Sequence, residues 1–323
     1  MFSLSRTAIF SSFLLFAISA AAQNYAKKPV QLIVPLAAGS TADILARTIQ
    51  PQLASALGQP VIIENRPGAG GTIAMDFVAH AAPDGYTLVM GTSATWGINP
   101  ALYKQVKQNP LQDFVPVAYL AASSNVVVVA ASSSMNSLSD LVNAMKDKSG
   151  KLVFSSGGSG TTHHLSGALL NSSTATEALH VPYKGAPQGV TAVLAGEVDF
   201  GIYNTPSVVS LINAGKLKAL AYTGATRSPL LPTVPTAKEG RVPNYVVSLD
   251  FGILAPAGTP ESVVSRLHNE LQKIMESPAL RSNLTAQGFD SFRSESRTEF
   301  SKSIKLDMDK WGALVSTSRA AVD

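Results

Sequence analysis

Short apolar runs recur along the whole chain and alternate with segments of helical periodicity. The runs are bounded by small, polar or turn-forming residues and cover 30–34, 61–63, 87–90, 126–130, 151–154, 198–202, 217–222 and 251–254. Between the first two runs, an apolar residue recurs every four positions from Leu45 to Leu57 and Gly58 follows, which predicts a helix that ends at a glycine. Strands that alternate with helices in this way predict an α/β fold on a parallel, doubly wound sheet.

The length of the chain predicts two lobes, because 323 residues exceed the size at which a single core keeps growing. A small polar stretch at 122–125 marks the change of lobe, and the chain returns near 242–248. We therefore predict lobe 1 from residues 23–124 and 247–323 and lobe 2 from residues 125–246. The tail reads as helices from Pro260 to a break at Ser277 and Pro278, over 279–287 and over 297–317.

Proline and glycine residues interrupt some of these elements and form turns between others. Pro51 lies inside the first long helix and predicts a kink or a restart at that position. The segment "NRPGAGGT", 65–72, is rich in glycine but lacks the Gly-Lys-Ser/Thr ending of a P-loop and the spacing of a dinucleotide site. We interpret it as a tight turn that leads into a helix, with Arg66 holding the turn in place.

The first 22 residues have the pattern of a secretory signal peptide. A basic start is followed by the apolar stretch 7–18, which is too short to span a bilayer, and Ala20 to Ala22 offer a cleavage site. We predict a mature chain that begins at Gln23. A retained anchor helix is the alternative, but no longer apolar run or stop-transfer pattern follows.

Composition excludes several classes of protein. The chain has no cysteine, so it has no disulfide, no thiol nucleophile, no thiolate metal site and no lipidated cysteine. The net charge is only +4, without a cluster of Lys and Arg, so nucleic acid is not an expected partner. An exported, freely soluble protein of a Gram-negative periplasm fits these features.

Three loops that follow predicted strands share small residues and hydroxyl groups, and none contains Lys or Arg. They are 39–41, 91–95 and 155–162. Glycine lets a backbone approach a ligand, and the free N–H groups and dipole at a helix start favour an anion. Together the three loops predict a neutral cradle, that is, an uncharged site that holds a carboxylate partly through ordered water. Helix capping is the alternative, since Ser40 with Asp43 has the spacing of a capping box and Thr161 or Thr162 can cap the next helix.

Catalysis and metal binding have weaker support. Ser156 or Ser159 near His163 and His164 would suit a secreted serine hydrolase, but the chain has no G-x-S-x-G elbow and adjacent histidines on a helix point in different directions. The remaining histidines show no metal-ligand spacing. We therefore predict neither an enzyme nor a metal site, and no cofactor.

An ordered series of motifs covers nearly all of the predicted mature chain. It runs "VPLAAGSTADILAR", "ALGQPVIIENRPGAGGTIA", "AAPDGYTLVMGTSA", "INPALY", "HVPYKGAPQGVTAVLAGEVDF", "NTPSVVSLINAGKLKALAYT", "RSPLLPTVPT" and "GILAPAGTP". The series resembles the Bug-type receptors, the periplasmic solute-binding proteins of tripartite tricarboxylate transporters. The resemblance identifies a family and leaves the ligand open.

The resemblance implies a two-lobe clamp of the type II periplasmic binding fold, a Venus-flytrap in which each lobe is a mostly parallel sheet flanked by helices. It also implies a small carboxylate enclosed between the lobes and held by amides, hydroxyls and water. Carried over by position, the ligand-binding residues are Leu36, Ala38, Ser40, Thr41, Asp43, Thr92, Ser93, Thr95, Ser156, Ser159, Thr161, Thr162, His163, Tyr203 and Asn204.

Departures from the family pattern bear on the ligand. In the first loop, Ala38 and Ser40 stand where Pro and Gly are common, which adds a hydroxyl and suits a carboxylate with an apolar or aromatic body. Tyr203 stands where Asp is common, which suits a carboxylate with an apolar or aromatic body. Asp250 stands where an aromatic residue is usual, and if it faces the cleft it favours a ligand that also carries an amine or hydroxyl. The alternative for Asp250 is a solvated hinge carboxylate.

The expected function is capture of a small organic carboxylate, a dicarboxylate or aromatic acid, for the membrane subunits of a tripartite tricarboxylate transporter. We expect a monomer. A receptor that reports ligand occupancy to a sensor kinase would share the fold and the ligand, and an amino acid such as aspartate or glutamate is an alternative ligand.

Overall fold

A computed structural model describes residues 25–147 and 151–317 of the chain. The predicted signal peptide, 1–22, and its cleavage site lie outside the described residues. Up to the middle of the chain the elements are β1 (Val30–Val34), α1 (Thr41–Leu57), β2 (Val61–Asn65), α2 (Thr72–Ala79), β3 (Thr87–Thr92), α3 (Asn99–Leu102) and β4 (Phe114–Ala130).

The second half of the chain supplies the remaining strands and the helical tail. Its elements are α4 (Leu138–Asp147), β5 (Val153–Ser156), α5 (Thr162–Thr174), β6 (Leu179–Pro182), α6 (Ala186–Ala195), β7 (Phe200–Asn204), α7 (Thr205–Asn213), β8 (Leu217–Tyr222), β9 (Ser248–Pro256), α8 (Glu261–Glu276), α9 (Pro278–Gln287) and α10 (Arg297–Thr317).

The strands form two half-sheets, and β4 belongs to both. The lobe 1 half-sheet has the order β2-β1-β3-β9-β4, in which β1 pairs in parallel with β2 and β3 while β9 is antiparallel to β3 and β4. In lobe 2, β5 pairs in parallel with β6 and β7, and β4 is antiparallel to β7 and β8. The fold is a two-lobe α/β fold in which each half-sheet has parallel pairs at the end remote from β4 and antiparallel pairs next to β4.

The two half-sheets meet where β4 changes partner. Its residues up to Ser124 pair with β9, and those from Asn125 onward pair with β7. The sequence predicted a strand only at 126–130, but β4 begins at Phe114. The change of partner falls in the stretch 122–125 that the sequence marked as the change of lobe. The boundaries of the lobes themselves stay a prediction.

Apolar faces of the helices cover the half-sheets. In α1 the residues Leu45, Ile49, Leu53 and Leu57 are buried, as their spacing predicts, and Gly58 takes the left-handed conformation at the C-terminus. The helix does not restart at Pro51, because one helix spans Thr41–Leu57.

The tail connects the cores of both lobes. In α10, Phe300 packs in a cluster with Trp96 and Tyr119. Further along the same helix, Trp311 packs in the cluster that holds Leu138 and other lobe 2 residues. The predicted tail helices are therefore present, and the last one spans from one lobe to the other. None of the helices in the described ranges is long and apolar enough to cross a membrane.

Candidate functional site

A cleft of about 450 Å³ lies between loops that follow the carboxyl ends of four parallel strands. Loops after β1 and β2 form one wall and loops after β5 and β6 form the other, as expected for ligand sites of open α/β sheets. We call this space the interlobe cleft. It is lined by Leu36, Ala37, Pro67, Gly68, Ala69, Gly70, Gly71, Tyr103, Gly157, Gly158, Ser159, Thr161, Pro182, Tyr183, Lys184 and Gly185.

The two lobes contact each other both in the cleft wall and outside it. The hydroxyl groups of Thr41 and Ser207 lie 3.2 Å apart, and the hydroxyl of Tyr103 donates to the carbonyl of Ser159 at 2.9 Å. Gly185 has a φ of 152°, and a Cβ built there would lie 2.8 Å from Cβ of Ala37. A residue larger than glycine would therefore keep these two loops apart.

Helix starts from both lobes meet at the interlobe cleft. The lobe 1 helix α2 follows the cleft residue Gly71, whereas the contact between Thr41 and Ser207, which joins the first turns of α1 and α7, lies outside the cleft lining. In addition, α5 follows the cleft residue Thr161 and α6 follows the cleft residue Gly185. The free N–H groups and dipoles of helix starts favour a negatively charged ligand.

Polar contacts within lobe 1 hold the first loop. Ser40 caps α1, since its hydroxyl accepts from the amide of Asp43 at 3.4 Å. The carboxylate of Asp43 accepts from the amide of Gly39 at 2.9 Å, from Arg47 at 3.0 Å and from Asn65 at 3.0 Å. Burial alone would raise the pKa of Asp43, but these hydrogen bonds outweigh it and hold the pKa below its usual range. Asp43 therefore positions the loop and does not line the interlobe cleft.

The hydroxyl groups of the second loop bind neighbouring protein groups. Thr95 accepts from the amide of Thr92 at 2.9 Å, and its methyl group lies against Gly71 of the cleft wall. Ser93 donates to the carboxylate of Asp307 at 2.5 Å and accepts from the amide of Asp250 at 3.0 Å. The second loop thus supports the wall from behind and connects β3 with α10 and β9.

The third loop contributes Ser159 and Thr161 to the lining of the interlobe cleft. Thr161 also caps α5, because its hydroxyl accepts from the amide of His164 at 3.4 Å. Thr162 is buried below the loop. The predicted helix cap and a place in the cleft wall therefore coincide at Thr161.

Behind the third loop lies a buried polar network. Nε2 of His163 and Oδ1 of Asn204 are 2.9 Å apart, and the side-chain amide of Asn204 donates to Oδ1 of Asn125 at 2.7 Å. Burial lowers the pKa of His163 to about 4, although the hydrogen bond to Asn204 opposes this shift. His163 and Asn204 are therefore neutral groups that fix α5 against β7 and β4.

A serine and histidine pair does occur, but with a histidine other than the two that the sequence suggested. Oγ of Ser156 and Nε2 of His180 lie 2.6 Å apart, and the ring of His180 stacks on His164 with centroids 4.1 Å apart. Burial lowers the pKa of His180 to about 3, with a further contribution from His164. Within the described residues, no Asp or Glu lies within ion-pair distance of His180, so nothing orients it as a catalytic base.

Tyr203 and Asp250, which depart from the family pattern, also lie outside the lining of the interlobe cleft. Tyr203 is fully buried in lobe 2, and its hydroxyl lies 2.6 Å from that of Ser155. Asp250 is paired with Arg293 at 2.9 Å and accepts from Tyr119 at 3.3 Å, and its side chain is 22% exposed. Asp250 is thus neither a freely solvated carboxylate nor part of the cleft wall. The cleft lining likewise does not include Ala38, which is exposed on the first loop.

Sequence reasoning missed two segments of the cleft wall. The turn at 67–71 was expected to lead into a helix, and it does so before α2, but it also lines the cleft. Arg66 holds this turn as predicted, with Nε 2.6 Å from Glu64 and its guanidinium 3.5 Å from the ring centre of Phe77. The segment 182–185 was missed together with β6, whose four residues include His180 and Pro182 and gave no apolar run.

Comparison with known proteins relates this architecture to one family. Residues 45–319 match the tripartite tricarboxylate transporter family receptor. BugT of Bordetella pertussis is 34% identical over 268 residues, which are 83% of this chain and 82% of BugT. The chain belongs to the tripartite tricarboxylate transporter receptor family.

Solved structures of similar proteins support the same assignment for this receptor. Rpa4515 of R. palustris, solved with adipate, is 31% identical, with a TM-score of 0.88 over 91% of this receptor and 98% of that chain. MatC from Rhodopseudomonas palustris, with bound malate, is 32% identical, with a TM-score of 0.86 over 90% of this receptor and all of that chain (100%). Proteins of this kind are periplasmic solute-binding receptors and not enzymes, so the hydrolase alternative is wrong. Within the described ranges, no group of three or more metal-binding side chains occurs.

Proposed function

We propose that this receptor captures a small organic carboxylate in the interlobe cleft and delivers it to the membrane subunits of a tripartite tricarboxylate transporter. The observation that carries the proposal is the convergence of helix starts from both lobes, those of α2, α5 and α6, on a cleft without an acidic side chain in its lining. Such a site attracts an anion and supplies neutral donors for it. The adipate of Rpa4515 and the malate of MatC are ligands of this chemistry in similar proteins.

Direct ligand contacts are proposed for Leu36, Ser159 and Thr161, which line the interlobe cleft. The other predicted site residues then act from behind the wall, through the loop backbone or through ordered water. An amino acid ligand loses its specific support, because Asp250 is engaged by Arg293 and does not offer its carboxylate to the cleft. A dicarboxylate or an aromatic acid is the ligand class that we propose.

Delivery to a transporter requires export. We propose that the receptor is a periplasmic monomer released by cleavage near Ala22. Mass spectrometry of protein purified from a periplasmic extract would give an N-terminus at Gln23, whereas a chain that keeps residues 1–22 would contradict the cleavage.

A thermal-shift screen tests the ligand class. A ligand that binds only the folded protein raises the melting temperature as ln(1 + [L]/Kd) increases. We expect a concentration-dependent rise with dicarboxylates or aromatic acids and no rise with amines or sugars of similar size. If no carboxylate moved the transition while an amine or sugar did, the proposed function would be wrong.

A further inference from the structure

The lining of the interlobe cleft contains one charged side chain, Lys184. The three loops that the sequence singled out contain neither Lys nor Arg, so a cradle built from them alone is neutral. The segment after β6 adds a cation to that cradle. Its position at the mouth of the cleft, next to the contact between Gly185 and Ala37, puts it where the two lobes meet.

The backbone around Lys184 is fixed on three sides. The amide of Tyr183 donates to the carbonyl of Ser156 at 3.1 Å, and the amide of Lys184 donates to the side chain of Gln188 at 3.1 Å. On the third side, Gly185 lies against Ala37 of the opposite lobe. The side chain of Lys184 therefore extends from a rim whose backbone is held in position.

The ammonium group of Lys184 remains available to a ligand. Some surface lysines of the described chain are paired, for example Lys28 with Asp84 and Lys305 with Asp309. No ion pair of the described residues involves Lys184, and the residue is exposed. A ligand that brings a carboxylate to the mouth would give this cation a partner as the lobes close.

We propose that Lys184 determines specificity by binding the second carboxylate of a linear dicarboxylate, whose first carboxylate is held by the neutral donors of the loops. This inference rests on the proposed function. An aromatic or aliphatic monoacid fills the same cleft with an apolar tail and leaves the ammonium group without a partner when water is excluded. The receptor therefore selects dicarboxylates over monocarboxylates of equal length.

Calorimetric titration with matched ligands tests the role of Lys184. The probes are succinate and adipate, each beside its monomethyl ester, which keeps the chain length and removes one charge. We expect the wild-type receptor to bind the better diacid about tenfold more tightly than its ester. Lys184→Gln should remove most of this preference by weakening diacid binding, and Lys184→Arg should restore it.

A matched control separates a local charge from the net charge of the protein. Lys216→Gln removes a charge from an exposed lysine of lobe 2 outside the cleft lining and should leave both affinities unchanged. Equal binding of diacid and ester by the wild-type protein, or an unchanged preference in Lys184→Gln, would overturn the role of Lys184 and leave the proposed function standing. If neither diacid nor ester bound at all, the role of Lys184 would fail, and the thermal-shift screen of other carboxylates would decide the proposed function separately.

Discussion

Asp250 is a carboxylate held mostly out of water on strand β9. Its amide donates to Ser93, and its side chain contacts Arg293 and Tyr119. Burial raises the pKa of Asp250 to about 6, the negative charge of Asp307 adds to this rise, and Arg293 offsets part of it. The fold thus favours the protonated form of Asp250 more than the unfolded chain does.

Asp250→Asn should remove one pH-dependent contribution to the free energy of unfolding. Because its pKa is raised on folding, the contribution of Asp250 is fully present below about pH 4 and is lost as pH rises through about 6. Between these pH values the wild-type protein should lose about 1 to 3 kcal/mol relative to the variant. Urea unfolding of both proteins across this range measures the difference, and parallel curves would contradict the raised pKa.

His180 should have the opposite effect on how stability depends on pH. Its pKa is lowered to about 3 by burial and by His164, so its contribution is present above pH 6.5 and is lost as pH falls. His180→Phe keeps a ring against Phe154 and leaves Ser156 its contacts with Gly158. Between pH 7 and 5 the wild-type protein should lose about 1 to 2 kcal/mol more stability than this variant.

Ser156→Ala is the control for this prediction, because it removes the hydrogen bond to His180 but keeps the titrating ring. Its stability should fall with acidification as in the wild-type protein. An equally steep fall in His180→Phe would mean that other groups cause the acid sensitivity.

Elements whose signals are local were predictable from the sequence. The end of α1 at Gly58, the cap at Ser40 and the break between α8 and α9 at Ser277 depend on residues within a few positions of each other. The middle of β4 was not predictable in this way. Its residues 122–125 are small and polar, and they are strand only because β9 and β7 pair with them.

Pro51 presents a second case in which tertiary packing decided the structure of an element. A proline inside a helix removes one backbone hydrogen bond and crowds the preceding turn, yet α1 continues through it. The buried face of Leu45, Ile49, Leu53 and Leu57 keeps both halves of the helix on the sheet.

Pro51→Ala should therefore stabilise the protein, because it restores the missing hydrogen bond in a helix that is already formed. We expect a gain of about 1 to 3 kcal/mol in the free energy of unfolding. Gln52→Ala, at the next exposed position, should change stability by only a few tenths of a kcal/mol. A loss of stability in Pro51→Ala would show that proline is preferred at this position, for example through its effect on the unfolded chain.

At the scale of the whole molecule, the sequence predicted which loops carry donors but not which of them meet. The third loop reaches the interlobe cleft through Ser159 and Thr161, whereas the lining after β1 consists of Leu36 and Ala37, which precede the first loop. In the second loop, Ser93 directs its hydroxyl toward Asp307 and the backbone of β9, and the hydroxyl of Thr95 bonds within the loop to Thr92. The direction of a side chain at the end of a strand depends on the elements that pack against it. Here that element is α10, and Asp307 follows Ser93 by 214 residues, so local sequence could not predict the contact.

We expect closure of the two lobes to be the step that a bound ligand stabilises, and the contact between Ala37 and Gly185 offers a way to block it. Ala37→Phe places a ring between the loops without touching either core. We expect a loss of at least about tenfold in affinity for the carboxylate found by thermal shift, because the variant has to bind in an open state. Small-angle scattering should also show no contraction on ligand addition.

The control variant Ala131→Phe, on an exposed turn of lobe 2 after β4, should contract and bind like the wild-type protein. If Ala37→Phe contracted and bound equally well, ligand capture would not require these loops to meet.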